Sequence, residues 1–237
     1  MKTQPLYRED AYLRRCEARV LRAGPDGIVL DRTVFYPTGG GQPGDSGVLL
    51  LEDGSSLAVR EARKGEEPGS VLHLPADDAA LPAPGTPVEA VIDWDRRYRH
   101  MRTHTCLHLL CRAVDGVVTG GSVGELKGRL DFDIPEPLLE KETIEAQLAA
   151  WVGEARPVTA RWIEEDELDR RPELVRTLSV QPPRGHGRIR LIGIEGVDLQ
   201  ACCGTHVRST AEIGPVTVAK IEKKGRMNRR VVVMLAA

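Results

Sequence analysis

The stretch HMRTHTCLHLLCRAV, from His100 to Val114, contains the first long helical pattern in this chain of 237 residues. The positions that recur at steps of three and four are Met101, His104, Leu107, His108, Cys111 and Val114. Such steps are the spacing of one face of an α-helix. We therefore predict a helix over this stretch, and the chain changes its character there.

Upstream of this helix, short apolar runs alternate with turns that contain glycine and proline. The runs are Glu17–Leu21, Gly27–Asp31, Gly47–Leu51, Leu57–Arg63, Val71–Leu74 and Val88–Ile92. Many short strands at such spacing are typical of a small β-barrel. We predict a barrel domain over residues 1–92, with a loop at Pro75–Pro87 before the last strand.

Downstream of residue 93 the patterns of helix and strand are mixed. A second helix is predicted over Pro137–Glu154 and a short acidic one over Glu164–Arg170. The predicted strands are Arg129–Phe132, Arg188–Ile194, Pro215–Glu222 and Arg229–Leu235. The last two can pair as a hairpin. This part of the chain, residues 93–237, is therefore predicted to be an α+β domain with an antiparallel sheet.

Composition narrows the class of protein. Hydrophobic residues make up 41% and charged residues 29% of the chain, as in a soluble globular protein. The sequence lacks a run of apolar residues long enough for a membrane span, and its charged N-terminus does not resemble a signal peptide. We expect a cytoplasmic protein. Five cysteines, an odd number, then indicate metal binding, catalysis or burial rather than disulfides.

The helical stretch carries a candidate metal-binding pair. His104 and His108 are four residues apart, so their imidazoles share one helix face and can bind one ion. A pair of this kind also occurs by chance, and two buried, hydrogen-bonded histidines are an alternative. Cys106 points away from this face and is predicted to be a packing residue.

A second pair strengthens the case for a metal. Cys202 and His206 are again four apart, in the segment ACCGTH, where a glycine allows the chain to bend around an ion. Three histidines and one cysteine form a nitrogen and sulfur set that suits Zn²⁺. Four protein ligands usually mark a structural zinc, whereas catalysis needs an open or exchangeable position. Cys203 is out of step with His206 and is predicted to pack.

Two further segments have functional candidates and equally plain structural alternatives. TVFYPTGGGQPGD, from Thr33 to Asp45, could approach a ligand closely, with Gln42 orienting a water or a carbonyl. It is neither a P-loop nor a dinucleotide turn, and the residues alone favour a tight turn in a barrel. The basic residues near the C-terminus could contact phosphates or form a solvated hairpin tip. They are Lys220, Lys223, Lys224, Arg226, Arg229 and Arg230.

Together these segments resemble a known family. Arg32–Gly47, Arg102–Leu110, Gly121–Pro135 and Cys202–Gly214 are similar, in order and approximate spacing, to motifs of the alanyl-tRNA synthetase editing domain. The resemblance covers nearly the whole chain and is to the free-standing, medium-length AlaX form. One departure is Cys203, where the family usually has glycine.

The resemblance implies a β-barrel followed by an α+β editing core and hydrolysis of the ester in mischarged tRNA(Ala). The amino acid removed is chiefly serine, with glycine a second candidate. Gln42 would assist catalysis or position the substrate, and Thr33 is the candidate for reading the serine hydroxyl. The implied ligands of Zn²⁺ are His104, His108, Cys202 and His206.

Further roles follow from that chemistry. An editing site must bind the hydroxyl of serine positively, because size alone cannot protect the smaller alanine. Thr205 is a second threonine available for this task. Arg129 and Asp131 are predicted to line the site, with a surface ion pair as the alternative. The tRNA acceptor stem would contact the basic cluster at Lys220, Lys223, Lys224 and Arg226.

The same residues allow other interpretations. The chain could be a non-catalytic RNA-binding module stabilised by zinc. It could also act on another substrate, as a threonyl-type editing domain or a metallohydrolase for another ester. A metalloprotease fits poorly, because Thr105 stands where the HExxH motif requires glutamate. In an editing enzyme the zinc could either activate water or only position the substrate.

Overall fold

The computed structural model describes residues 2–76, 80–134, 140–177 and 187–237. The chain divides into two compact units, Met1–Tyr98 and Arg99–Ala237. The division falls a few residues after the boundary predicted at residue 92. Each unit has its own sheets.

The first unit is built on a closed barrel of six antiparallel strands in the order β2-β3-β7-β6-β5-β8. Two very short strands, β1 and β4, pair in parallel beside it. This barrel confirms the prediction made from the short apolar runs. The strands are β1 (Gln4–Pro5), β2 (Arg15–Gly24), β3 (Gly27–Leu30), β4 (Arg32–Thr33), β5 (Gly47–Leu51), β6 (Ser56–Lys64), β7 (Val71–Pro75) and β8 (Pro87–Ile92).

Alternating burial along the strands fills the barrel. In β8, Val88, Ala90 and Ile92 are buried while the residues between them are half-exposed, which is the period of two expected of a strand. Their inward side chains pack with those of the other strands and with Phe35. The apolar interior therefore supplies the main stabilisation of this unit.

Two glycines allow the barrel to close around the glycine-rich segment. A Cβ on Gly44 would lie 1.9 Å from the carbonyl oxygen of Ala62, and one on Gly47 would lie 2.1 Å from that of Val91. Both neighbours are backbone atoms, which cannot move aside as a flexible side chain could. No larger residue fits at either position without displacing a strand.

The second unit contains two antiparallel sheets and most of the helical residues. The sheet orders are β14-β15-β10-β9 and β11-β12-β13. Helix α1 begins in the last residues of the first unit and continues into this one. The bounds are α1 (Trp94–Ala113), β9 (Val117–Val123), β10 (Lys127–Asp133), α2 (Lys141–Gly153), β11 (Val158–Glu164), α3 (Glu165–Arg170), β12 (Arg188–Ile194), β13 (Asp198–Ala201), β14 (Val216–Lys223) and β15 (Asn228–Leu235). Short 3-10 helices span Leu6–Arg8, Pro172–Leu174 and Thr210–Ile213.

Gly128 of β10 allows α1 to pack close to the larger sheet. A Cβ on Gly128 of β10 would lie 2.8 Å from Cγ2 of Thr103 and 3.0 Å from a methyl of Leu107. Glycine at this position therefore lets the helix pack directly on the strand. Leu130 and Phe132 are buried on the same face of β10, because alternate residues of a strand point the same way.

The α+β class with a β-barrel and antiparallel sheets is confirmed, but some elements differ from the prediction. Helix α1 starts at Trp94, earlier than predicted, and α2 starts at Lys141; the predicted start at Pro137 lies outside the described residues. Strands β1, β4, β9, β11 and β13 were not predicted. No helix in the described ranges is long and apolar enough to cross a membrane.

Candidate metal centre

The second unit brings the four predicted ligands together. The ligand atoms of His104, His108, Cys202 and His206 all lie within 4.8 Å of one another. The Cys202 Sγ is 3.3 Å from Nε2 of His206 and 3.6 Å from Nε2 of His104. Zinc–sulfur bonds of about 2.3 Å and zinc–nitrogen bonds of about 2.0 Å at tetrahedral angles place sulfur and nitrogen roughly 3.5 Å apart. The group therefore fits one Zn²⁺.

Helix α1 supplies two of these ligands from one face. The ring centroids of His104 and His108 are 5.4 Å apart, and both residues are at least nine-tenths buried. The ring of His206 is closer to each of them, at 4.3 Å and 4.5 Å between centroids. Three imidazoles thus converge from two separate segments of the chain.

The loop after β13 supplies Cys202 and His206, and a buried arginine fixes its course. Nη1 of Arg190 donates to the carbonyl oxygens of Cys202 at 3.1 Å and Gly204 at 2.8 Å. The amide of Cys202 donates back to the carbonyl of Arg190 at 3.1 Å. In addition, the amide of Gly204 points at Cys202 Sγ, 3.4 Å away. These contacts bend the backbone so that the sulfur faces the histidines.

The protonation states of Cys202 and His206 suit metal binding. Burial would raise the pKa of the Cys202 thiol, but the nearby imidazoles of His104 and His206 outweigh it and hold that pKa well below its usual value. Burial, together with the neighbouring His104, lowers the pKa of His206 well below its ordinary value. A thiolate and a neutral imidazole are the forms that bind Zn²⁺.

Two of the histidines also have polar partners at their other ring nitrogen. Nδ1 of His206 is 3.1 Å from the hydroxyl of Thr105, and Nδ1 of His108 is 3.3 Å from a carboxylate oxygen of Asp198. Burial would lower the pKa of His108, but the Asp198 and Cys202 contacts outweigh it and raise that pKa to about 9. Sequence reasoning missed both partners.

The remaining cysteines of α1 behave as core residues. Cys106 and Cys111 are buried, and burial raises the pKa of each thiol to about 12. Neither belongs to the metal group found among the described residues, and Cys203 does not belong to it either. Cys106 is packed in the interior, as predicted.

The glycine-rich segment of the first unit forms a tight turn. Gly39 and Gln42 exchange two backbone hydrogen bonds of 3.0 Å, and the intervening Gly40 and Gly41 have φ of 58° and 79°. Positive φ at both central residues is the type of turn that glycine favours in hairpins. The side chain of Gln42 is buried. The three glycines thus form the tight turn that the residues alone favoured. The functional role of Gln42 stays a prediction.

A buried ion pair anchors the end of that segment. Arg97 and Asp45 are essentially unexposed and form a salt bridge. Asp45 also accepts the amide of Tyr36 at 2.5 Å, while Arg97 donates to the carbonyl of Val34 at 2.7 Å. Because every charge in the pair has partners, its burial is tolerated. The pair holds both ends of the glycine-rich segment in place.

Thr33 is fully buried in the first unit. Its hydroxyl lies 2.8 Å from Nε2 of His73 and accepts the amide of Phe35 at 3.0 Å. These contacts give the side chain a structural role in the barrel. Its reading of a serine hydroxyl stays a prediction. The same holds for Thr205, which is fully buried next to His206 in the chain.

Arg129 and Asp131 do not join the metal group. They alternate along β10 with Gly128, which faces α1, so they point to the opposite side of the sheet. Asp131 accepts from Arg129 at 2.7 Å and from Arg230 at 2.7 Å and 2.9 Å. The contact with Arg230 lowers the pKa of Asp131. The ion-pair alternative describes their observed contacts, and their role in substrate binding stays a prediction.

The basic cluster lies on β14, β15 and the turn between them. The pairing of these two strands as a hairpin confirms the prediction. Glu222 forms ion pairs with Lys220 at 2.8 Å and with Lys224 at 3.7 Å. Lys223 and Arg226 are exposed, and neither forms an ion pair within the described part of the chain. These two cations are therefore the members of the cluster best placed to meet phosphates.

Comparison with known proteins gives the family. The model "Threonyl and Alanyl tRNA synthetase second additional domain" matches residues 189–232, and "tRNA synthetases class II (A)" matches residues 12–96. The alanyl-tRNA editing protein AlaX-M of Methanosarcina acetivorans is 37% identical over 96% of this chain and 97% of its own length. AlaX-M of Saccharolobus solfataricus is 34% identical over 97% of each chain. Alanine–tRNA ligase of Pyrococcus abyssi is 38% identical over 94% of this chain but 24% of the ligase. Similarity to AlaX-M proteins over nearly the full length of both chains shows that this chain belongs to the alanyl-tRNA editing protein family.

Proposed function

We propose that this protein hydrolyses the ester of mischarged tRNA(Ala) in the cytoplasm, removing serine and, as a second candidate, glycine. The observation that carries the proposal is the buried group of three imidazoles and one thiol, assembled from two distant segments. The relatives are named alanyl-tRNA editing proteins, and their similarity extends across both segments that supply the ligands.

The residues of the metal group divide the work of ester hydrolysis. His104, His108, Cys202 and His206 would hold Zn²⁺, and the bound ion would supply positive charge to polarise the ester carbonyl. The Gly204 amide and Arg190 keep the thiolate oriented. Gln42 is proposed to position the reacting ester.

Discrimination against alanine requires a polar partner for the serine hydroxyl. Thr33 and Thr205 are the proposed candidates. Thr33→Val removes the hydroxyl, and Thr33→Ser, which keeps it, is the control. Loss of serine selectivity in Thr33→Val alone, without a change in the unfolding midpoint, would support recognition. A lower midpoint with unchanged selectivity would leave Thr33 with its barrel role alone.

Recognition of the tRNA is proposed to involve the exposed cations Lys223 and Arg226 on the β14–β15 hairpin. Phosphate contacts of this kind position a nucleic acid without reading its sequence. Lys220, Lys224 and Arg230 already have acidic partners, so each would exchange an ion pair for a phosphate contact.

The deciding experiment is deacylation of Ser-tRNA(Ala), with Ala-tRNA(Ala) as the control substrate. Wild-type protein should release serine and spare alanine, and Cys202→Ala should lose most of this activity along with its Zn²⁺. Cys106→Ala, at a buried cysteine outside the metal group, is the matched control and should retain both. Intact Ser-tRNA(Ala) after incubation with zinc-loaded wild type would overturn the proposal.

One observation favours a second candidate function. Four protein ligands are the usual complement of a structural zinc, which leaves no position for a substrate. A non-catalytic RNA-binding module stabilised by zinc would hold the same group. It predicts tRNA binding with stoichiometric zinc and no hydrolysis of either aminoacyl ester.

A further inference from the structure

The hydroxyl of Thr105 determines where His206 carries its proton. It donates its only proton to the carbonyl oxygen of Met101 at 2.9 Å, since a carbonyl can only accept. It also accepts the amide of Val207 at 3.3 Å. Its contact of 3.1 Å with Nδ1 of His206 must therefore be one in which the imidazole donates. His206 thus carries its proton on Nδ1, and its unprotonated Nε2 faces the Sγ of Cys202 at 3.3 Å.

Asp198 performs the corresponding task for His108. The carboxylate of Asp198 lies 3.3 Å from Nδ1 of His108, and the Asp198 side chain is fully buried. Gln200 donates to it at 2.7 Å, and Nε of Arg176 is 3.4 Å away. The contact with His108 is an ion pair, because Nδ1 of His108 has no hydrogen-bond partner of good geometry among the described residues. A carboxylate can only accept, and its negative charge favours a proton on the facing Nδ1.

We propose that Thr105 and Asp198 are positioning residues that keep the protons of His206 and His108 on Nδ1 and so present both Nε2 atoms to the metal ion. The inference rests on the metal site of the proposed function. A hydrogen bond to the outer nitrogen fixes both the tautomer and the ring orientation of a metal-binding histidine. Neither residue touches the substrate in this assignment.

The test measures Zn²⁺ affinity of the full chain directly, by competition with a chromophoric chelator at neutral pH. Thr105→Val keeps the shape of the side chain and removes the acceptor, and Asp198→Asn removes the negative charge. Each should bind Zn²⁺ about 10 to 100 times more weakly than wild type. Thr105→Ser restores the hydroxyl and should bind close to the wild-type value.

Thr103 offers a matched control on the same helix. It is as deeply buried as Thr105, but its hydroxyl has no hydrogen-bond partner among the described residues. Thr103→Val should therefore leave Zn²⁺ affinity unchanged. The urea unfolding midpoint of each metal-free variant shows whether a weaker affinity merely reflects a less stable fold.

The outcomes separate this inference from the proposed function. Tight Zn²⁺ binding by wild type, Thr105→Val and Asp198→Asn alike would overturn the inference alone. Equal weakening by Thr105→Ser and Thr105→Val would also overturn it, because the hydroxyl would then be irrelevant. A wild-type protein that binds no Zn²⁺ would overturn the metal site itself.

Discussion

At the scale of single residues, His73 illustrates how burial decides a protonation state in the barrel. Its Nδ1 lies 3.0 Å from the carbonyl oxygen of Ile28 and its Nε2 lies 2.8 Å from the hydroxyl of Thr33. A carbonyl can only accept, so Nδ1 carries a proton, and a neutral ring leaves Nε2 to accept from Thr33. The residue is fully buried, and burial lowers its pKa from 6.5 to about 4.

This shift predicts how the barrel responds to acid. In the unfolded chain His73 takes up a proton below its ordinary pKa of 6.5, whereas in the folded chain it does so only near pH 4. The contribution of neutral His73 to the free energy of unfolding is therefore fully present above pH 6.5 and is lost as the pH falls toward 4. The loss is on the order of 3 kcal/mol. Urea unfolding followed between pH 4 and pH 7 measures it.

His73→Gln is the reference for that measurement, because glutamine does not titrate in this range. The difference in unfolding free energy between wild type and variant should shrink as the pH falls from 7 to 4. A constant difference would mean that His73 titrates normally in the folded protein.

Residue spacing was sufficient to predict the four side chains that the structure brings together, since the members of each pair are four apart. Spacing was insufficient to predict the groups that contact the outer ring nitrogens of the histidines. Thr105 gave no signal beyond its position between the two histidines. Asp198 lies two residues from Gln200 and four from Cys202, a strand-like alternation that could have been found, but the four-residue strand holding it was too short to predict.

At the scale of elements, the glycine-rich turn distinguishes two uses of glycine. Gly44 has a backbone carbonyl in the space of a Cβ, whereas Gly40 has open space and a φ of 58°. Gly44→Ala should destabilise the protein by about 2–4 kcal/mol because the segment that holds residue 44 must move away from the backbone of β6. Gly40→Ala should cost only about 1 kcal/mol, for the unfavourable backbone conformation. Chemical denaturation of both variants compares the two costs, and equal midpoints would contradict the distinction.

The β14–β15 hairpin predicts a salt effect on tRNA binding. Each phosphate contact adds close to 1 to the slope of log affinity against log salt. Lys223→Ala combined with Arg226→Ala should therefore reduce the slope by about 2, as measured by filter binding at several salt concentrations. Lys220→Ala, at a lysine already paired with Glu222, should change the slope less. An unchanged slope in the double variant would place the tRNA elsewhere.

Helices and strands were predictable where their buried residues form a regular apolar pattern in the sequence. Strands β5 and β12 have the predicted bounds, since each alternates or runs continuously apolar between clear turns. Strand β11 has four consecutive exposed residues, Thr159–Trp162, and so presents no apolar period. Its hydrogen bonds to β12, rather than its own sequence, make it a strand.

At the scale of the whole molecule, the metal group connects segments that are distant in sequence but belong to one unit. All four ligands fall within Arg99–Ala237. Bound Zn²⁺ would stabilise only the form that assembles them, by about 4 kcal/mol when free Zn²⁺ is 1,000 times its Kd. Removing the ion should thus loosen the second unit selectively.

Hydrogen exchange with and without a chelator tests this expectation. Amide protection should fall in α1 and around residues 202–206 and stay unchanged in strands β2 to β8. Equal loss of protection in the barrel strands would show that the ion stabilises both units. No loss in either unit would show that the fold does not depend on the ion.

The imidazole of His73 has one more consequence. Its Nδ1 proton is shielded from solvent and held by the carbonyl of Ile28, so it should exchange slowly enough to give a resolved proton NMR signal well downfield of the amides. That resonance belongs to the first unit, whereas the metal ligands belong to the second. A single line in the spectrum can therefore report the integrity of the barrel while Zn²⁺ or tRNA is titrated into the sample.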